Sequence, residues 1–112
     1  GFYTNFSRVI RDVDGNIVRT VEKKDALPHE LEILEVSPCY MVFDKDFLFE
    51  KLKTISNDNA QGEYYLPDLI ARATSGGYKI KTISIEPEEA LGVNTLEQKE
   101  LIERILSEKG DI

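Results

Sequence analysis

Asn57-Asp58-Asn59-Ala60-Gln61-Gly62-Glu63-Tyr64-Tyr65-Leu66-Pro67-Asp68 is a dense polar run that leads directly into an apolar stripe. Tyr65, Leu66, Leu69, Ile70 and Ala73 recur at the intervals that place side chains on one face of a helix. Ser75-Gly76-Gly77 supplies the stop, because glycine accepts the left-handed conformation that ends helices. The spacing predicts a helix over Gly62 to Ala73. A cap alone needs one side-chain acceptor for the exposed amides of the first turn. It accounts for one or two of the Asn and Asp residues, and not for a whole cluster of amides and carboxylates followed by two tyrosines. Such a cluster can also recognise a ligand carrying hydroxyls and an amide, with aromatic rings against its apolar faces.

Upstream of this helix, Asp46 to Ile55 places Phe47, Leu48, Leu52 and Ile55 at helical spacing and predicts a short amphipathic helix. Ile33 to Phe43 is almost continuously apolar and predicts a strand buried on both faces, with a bulge or strand start at Pro38 because proline cannot donate to a ladder. Lys23 to Leu31 is charged and broken by Pro28, which predicts a loop or a short helical turn. Phe6 to Glu22 holds two β-prone runs around Asp14-Gly15, the pair that favours a tight antiparallel hairpin.

Downstream, Tyr78 to Ile85 alternates apolar and polar side chains and predicts a half-buried strand. Thr95 followed by Gln98 has the spacing of a capping box, and Leu96, Leu101, Ile105 and Leu106 then share a helical face. The order β-β-β-α-α-β-α is an α/β arrangement, and residues 1–112 are read as one domain without repeats or linkers.

Bulk properties narrow the function. The 112 residues are 41% hydrophobic and 31% charged, ordinary for a globular protein, and every apolar run is too short to cross a bilayer. A formal charge of −7 disfavours wrapping a phosphate backbone, so neither nucleic acid nor membrane is an expected partner. A single cysteine, Cys39, forbids an intrachain disulfide, and no secretory pattern opens the chain, so a reducing cytoplasm is the expected compartment.

Catalytic equipment is sparse. His29, the only histidine, stands beside Pro28 in the charged loop and reads as a solvated side chain. Cys39 lies in the most apolar run and reads as a buried, inert thiol. There is no Cys/His cluster for zinc and no Gly-rich phosphate loop of the Walker type. Leu91-Gly92-Val93-Asn94-Thr95 marks a loop-to-helix junction, where Asn94 or Thr95 can cap the helix, or the Asn94 carbonyl can ligate a hard cation such as Mg²⁺.

Taken in order, these segments resemble the UDP-N-acetylglucosamine pyrophosphorylase (N-acetylglucosamine-1-phosphate uridyltransferase) domain of the sugar nucleotidyltransferases, in its C-terminal part. Arg8-Val9-Ile10-Arg11-Asp12 is similar to the family's strand after a Gly-Tyr-Gly turn. Val21-Glu22-Lys23-Lys24-Asp25-Ala26 is similar to its Val-Glu-x-Lys-Asp-Ala. Asn57 through Tyr65 is similar to its Asn-Asn-Ala-Gln-Gly-Glu-Tyr-Tyr helix entry, and Gly92-Val93-Asn94 to its late Gly-Val-Asn.

The resemblance implies a portion of a nucleotide-diphospho-sugar transferase fold, Rossmann-like, with a mixed sheet and flanking helices. It implies that Glu22 accepts hydrogen bonds from sugar hydroxyls, that Lys23 or Lys24 stands near phosphate, and that Glu63 and Tyr65 lie by an N-acetyl pocket. It further implies that Asn94 holds Mg²⁺ with an aspartate from outside this chain. The ligands are then a sugar-1-phosphate and a nucleotide sugar. The family's nucleotide-binding loop and metal aspartate belong N-terminal to Gly1, so the chain alone is not expected to catalyse.

Two departures accompany the match. Ser7 stands in place of a family glycine, and Ser37-Pro38-Cys39 replaces an Asn-Thr-Gly run whose Asn contacts the sugar. A serine hydroxyl cannot pair bidentately as an amide does. Another hexose-1-phosphate, or a degenerate module that binds or assembles without catalysing, therefore stays open as an alternative. A sheet cut from a larger domain leaves strand edges uncovered, and self-association is expected.

Overall fold

The computed structural model describes residues 2–111. These fall into two compact units, a first up to Lys81 and a second from Thr82.

The first unit is built on a hairpin. Strands β1 (Ser7–Arg11) and β2 (Ile17–Val21) pair antiparallel, with Arg8 opposite Val21 and Val9 opposite Thr20. The register shifts at Ile10/Arg11, where one extra residue leads into the turn. Asp12 organises that turn, since its Oδ1 accepts from the amides of Asp14 at 3.0 Å and Asn16 at 2.9 Å. Gly15 has a φ of 83°, the left-handed value that favours glycine. Two 3-10 turns follow, Lys23–Asp25 and Glu30–Glu32, in the charged segment expected to hold a loop or short turn.

Strand β3 (Val36–Ser37) adds antiparallel to the other side of β1, giving the order β2-β1-β3. The α/β content agrees with the sequence, but the sheet is antiparallel throughout rather than mixed. The long buried strand expected over Ile33 to Phe43 is reduced to two residues. Pro38 offers no amide to continue the ladder, and Cys39 turns to a φ of 69°. Leu34 and Val42 are 95% and 100% exposed, so apolar density in this stretch did not mean burial.

Helix α1 (Lys45–Lys51) begins where Asp44 accepts the amide of Phe47 at 3.0 Å, and a 3-10 turn over Leu52–Thr54 extends it. Helix α2 (Asp68–Ser75) starts six residues later than its apolar stripe predicts, because Asn57 to Pro67 makes irregular turns instead. Its end is the predicted one. The amide of Tyr78 reaches the carbonyl of Ala73 at 2.9 Å and that of Gly77 reaches Thr74 at 3.2 Å, with Gly77 at a φ of 74°, a Schellman closure.

Helix α2 packs on β2 and on α1. Phe47, Leu69 and Ala73 form the buried cluster, joined by the half-buried Phe43, Leu48, Ile55 and Ile80. Leu69 is fully enclosed, and Tyr78 meets Phe47 edge-on at 4.8 Å between ring centres. Tyr78 to Ile85 forms no strand in the described residues. Alternation supplies one apolar face, but a strand also needs a neighbour to take its amides and carbonyls, and none pairs with it.

The second unit holds a 3-10 turn (Pro87–Ala90) and helix α3 (Leu96–Lys109). The capping box is as predicted: Gln98 N donates to Thr95 Oγ1 at 3.1 Å, and Thr95 N to Gln98 Oε1 at 3.2 Å. Gly110 closes the helix. None of α3's residues is fully buried, and Leu96 is 77% exposed.

Candidate functional site

Strand β2 ends at Val21 and delivers Glu22 to the start of the Lys23–Asp25 turn. Glu22 is half-buried, and its Oε1 accepts from the hydroxyl of Ser7 at 2.8 Å. One residue past Lys24, the Asp25 carboxylate crosses to the polar run, where its Oδ1 accepts the backbone amide of Ala60 at 2.7 Å. Its other oxygen is shielded from solvent without a hydrogen bond of ordinary geometry.

The polar run is folded upon itself. Asn59 clasps Glu63 at both backbone groups, with Nδ2 donating to the carbonyl at 2.6 Å and Oδ1 accepting the amide at 3.1 Å. Gln61 Nε2 donates to the Tyr65 hydroxyl at 2.7 Å. Desolvation raises the Tyr65 pKa above the ordinary phenol value; Gln61 opposes this, and the charges of Asp25 and Glu22 add to it. Tyr65 therefore stays protonated and sits within the field of both carboxylates.

Together these pieces wall a cleft. Arg19, Thr20, Val21, Glu22 and Asp25 form one side, and Ser56, Asp58 and Asn59 from the polar run and Asp68, Ala71 and Arg72 from α2 form the other. Four carboxylates face two guanidinium groups, and both cations have other bonds. Arg72 binds Thr54 through Nε at 3.1 Å and Nη2 at 3.0 Å, while Arg19 is salt-bridged to the buried Glu30. Partial burial lifts the Asp68 pKa, opposed by Arg72 and reinforced by Asp25. Acceptors dominate the lining, so the cleft suits a ligand that donates hydrogen bonds through hydroxyls, and it disfavours a dianion in its interior.

Of the residues singled out in the sequence, Glu22 lines this cleft, while Tyr65 is not part of its lining and feels the charges of Asp25 and Glu22. Lys23 and Lys24 are exposed on the turn between Glu22 and Asp25, and Lys23 Nζ donates to Asn5 at 3.0 Å. Ser37 faces Ser7 across the β1–β3 ladder, and its hydroxyl accepts the amide of Cys39 at 3.1 Å. Glu63 is exposed. Asn94 belongs to the second unit, where its amide donates to Gln98 Oε1 at 2.7 Å as part of the α3 cap. His29 is exposed, as expected. Cys39 is not the buried thiol expected: it is exposed, because the chain turns out of the sheet after Pro38. Its sulfur is nevertheless partly desolvated and lies in the field of Glu22, and both raise its pKa, so it makes a poor nucleophile.

Among the described residues no group of three or more His, Cys, Asp or Glu is set to hold a metal ion, and Asn94 would offer a single side-chain oxygen. Mg²⁺ is commonly held by one or two protein ligands together with substrate phosphate and water.

Sequence reading missed Asp25, Asn59, Asp68 and Arg72 as individual lining residues. Asp25 and Asn59 lie inside the very motifs that carry the resemblance, and Asp68 heads the polar-to-apolar junction. Arg72 offered no signal, since a basic residue near the end of a helix is common.

The loops of this α/β segment gather carboxylates and amides around a hydroxyl-accepting cleft, and they carry the motifs that resemble the sugar nucleotidyltransferases. The particular relatives agree: the chain is homologous to a segment of proteins named bifunctional protein GlmU. It is 45% identical to that of Methylococcus capsulatus over 103 residues, which is 91% of this chain and 22% of the relative. It is 47% identical to that of Exiguobacterium sibiricum over 92 residues, 81% of this chain and 20% of the relative. With Paraburkholderia phytofirmans the identity is 41% over 103 residues, 91% of this chain and 23% of the relative. The chain thus spans about a fifth of the length of these curated relatives. No protein-family model matches it.

Proposed function

We propose that this chain is the sugar-binding part of a sugar-1-phosphate nucleotidyltransferase. The parent reaction is UTP plus N-acetylglucosamine-1-phosphate giving UDP-N-acetylglucosamine and pyrophosphate. The observation that carries the proposal is the cleft between β2 and α2, lined by Glu22, Asp58 and Asp68 among others, with Asp25 and Asn59 tying its polar loop in place. In such a reaction a sugar phosphate oxygen attacks the α-phosphorus of the nucleotide in line, and pyrophosphate leaves. Catalysis is then positioning and charge neutralisation, with no covalent nucleophile required. The segment's part is to hold the sugar: carboxylates accept hydrogen bonds from its hydroxyls, and Tyr65 lies against its N-acetyl group.

Phosphate belongs outside the acidic cleft, toward the exposed Lys23 and Lys24, whose flexible ammonium groups can follow it. Asn94 contributes at most one donor to a Mg²⁺ whose other ligands come from elsewhere in the parent. The chain serves as a sugar-binding segment of a cytoplasmic enzyme. Among the described residues, no helix is long and apolar enough to cross a membrane. Self-association fits the exposed Leu34 and Val42 beside the short β3, and sedimentation as a monomer at all concentrations would argue against it.

Ligand-observed NMR tests the proposal with N-acetylglucosamine-1-phosphate, glucose-1-phosphate, UDP-N-acetylglucosamine and UTP, on the native chain and on Glu22→Gln and Glu63→Ala. Contact with the sugar compounds and not with UTP, weakened by Glu22→Gln, is the expected result. A stronger response to glucose-1-phosphate moves the parent to another hexose phosphate. Silence from all four ligands overturns the sugar site and leaves a non-catalytic assembly module.

A further inference from the structure

We infer that Ser7 is a positioning residue that sets how Glu22 reads its ligand, an inference that rests on the sugar-site proposal above. Ser7 is only 7% exposed, yet its side chain is polar, and a buried hydroxyl needs a partner. Its partner is Glu22 Oε1 at 2.8 Å, fifteen positions along the chain. The pairing follows from register: Arg8 stands opposite Val21, so Ser7 and Glu22 are the next pair outward at the open end of the hairpin. Strand β3 secures the other side, with Ser37 opposite Ser7. Ser7 is therefore fixed by two neighbours, and the glutamate at the cleft wall is fixed by Ser7.

This has two chemical consequences. A free glutamate samples several rotamers, and ordering it on binding costs about 0.5–1.5 kcal/mol. The Ser7 bond makes part of that selection before any ligand arrives. It also occupies one of the acceptor positions on Oε1, which biases the carboxylate toward receiving a ligand hydroxyl through Oε2. A carboxylate with both oxygens free can bridge two neighbouring hydroxyls. One held by Ser7 favours a single hydroxyl, so Ser7 determines specificity without touching the sugar.

The test measures the dissociation constants of N-acetylglucosamine-1-phosphate and glucose-1-phosphate for the 112-residue chain and for Ser7→Ala, Ser7→Thr, Glu22→Gln and the Ser7→Ala/Glu22→Gln pair. Folding of each is checked by amide spectra, and Ser7→Gly removes the same hydroxyl should Ser7→Ala lose its fold. Ser7→Ala is expected to bind about 2- to 10-fold more weakly, with a changed ratio between the two sugars, and Ser7→Thr to restore both. In the Glu22→Gln background the Ser7 substitution is expected to add almost nothing, because the two residues act as one unit. Native affinity and selectivity in Ser7→Ala, or the same loss whether or not Glu22 is intact, overturns the inference while the sugar site stands. Failure of the native chain to bind either sugar phosphate overturns the sugar site itself, and this inference with it.

Discussion

The carboxylate of Asp25 accepts the backbone amide of Ala60 at 2.7 Å across 35 residues, tying the turn after β2 to the polar run that precedes α2. A hydrogen bond to a charged acceptor contributes roughly 1.5–3 kcal/mol. Asp25→Ala should cost stability in that range, and it should release the Ala60 amide to rapid hydrogen exchange while amides inside α2 keep their protection. Unchanged exchange at Ala60 would show that the run is held by its internal Asn59–Glu63 clasp instead.

Among the described residues Leu69 is the one fully enclosed large side chain, seated among Phe47, Ala73 and the half-buried ring of apolar groups around them. Leu69→Ala should destabilise the chain by about 2–5 kcal/mol, the sum of lost transfer energy and an unfilled cavity. Urea unfolding measures this. A cost under 1 kcal/mol would mean that the helix pair closes over the gap.

Glu30 contributes to the acid sensitivity of the first unit, beside Glu35, whose carboxyl is also held low by the Arg11 guanidinium. The backbone amide of Leu27, bonded at 2.9 Å, does most to hold the Glu30 carboxyl below the ordinary range, and Arg19 adds to this against the opposing effect of burial. A depressed folded pKa means that the stabilisation is present above the unfolded value of about 4.3 and is lost as pH falls through the folded value. Denaturant midpoints at pH 7 and pH 3 should therefore differ for the native chain, and the difference should shrink in Glu30→Gln. An undiminished pH response in that variant would assign the sensitivity to other carboxylates.

Cys39 is exposed, yet desolvation of its sulfur and the charge of Glu22 raise its pKa. At pH 8 iodoacetamide should alkylate it more slowly than it does a free cysteine, because less of it is thiolate. Glu22→Gln removes one of the two causes and should speed the reaction. A native rate equal to that of free cysteine would contradict the assignment.

Local chemistry made part of the molecule legible before its structure. Asp14-Gly15 announced the hairpin, Thr95 and Gln98 announced the start of α3, and Ser75-Gly76-Gly77 announced the end of α2. Each is a signal in which neighbours satisfy neighbours. Two of the failures were of one kind as well. Ile33 to Phe43 and Tyr78 to Ile85 have the composition of strands, but a strand exists only where another pairs with it, and composition does not say whether one will. For the same reason Glu22, a lining residue of the cleft, could be singled out from its motif, whereas the enclosure of the cleft by Asp68 and Arg72 depends on where α2 packs against β2. The backbone amide of Asn94 joins the cap of α3, which leaves its side-chain carbonyl outside that bond.

The hairpin turn closed by Asp12 has a consequence for the order of events in time. Its bonds to Asp14 and Asn16 link residues two and four apart, so β1 and β2 can meet after a short search, on the scale of about 1–10 μs typical of hairpins. The Asp25–Ala60 link must wait for a much longer loop to close. The wall that presents Glu22 should thus be assembled early in folding and the polar run settled against it late. Pulse-labelled exchange would see the β1–β2 amides protected before that of Ala60, and the reverse order would mean that packing of α2 guides the hairpin.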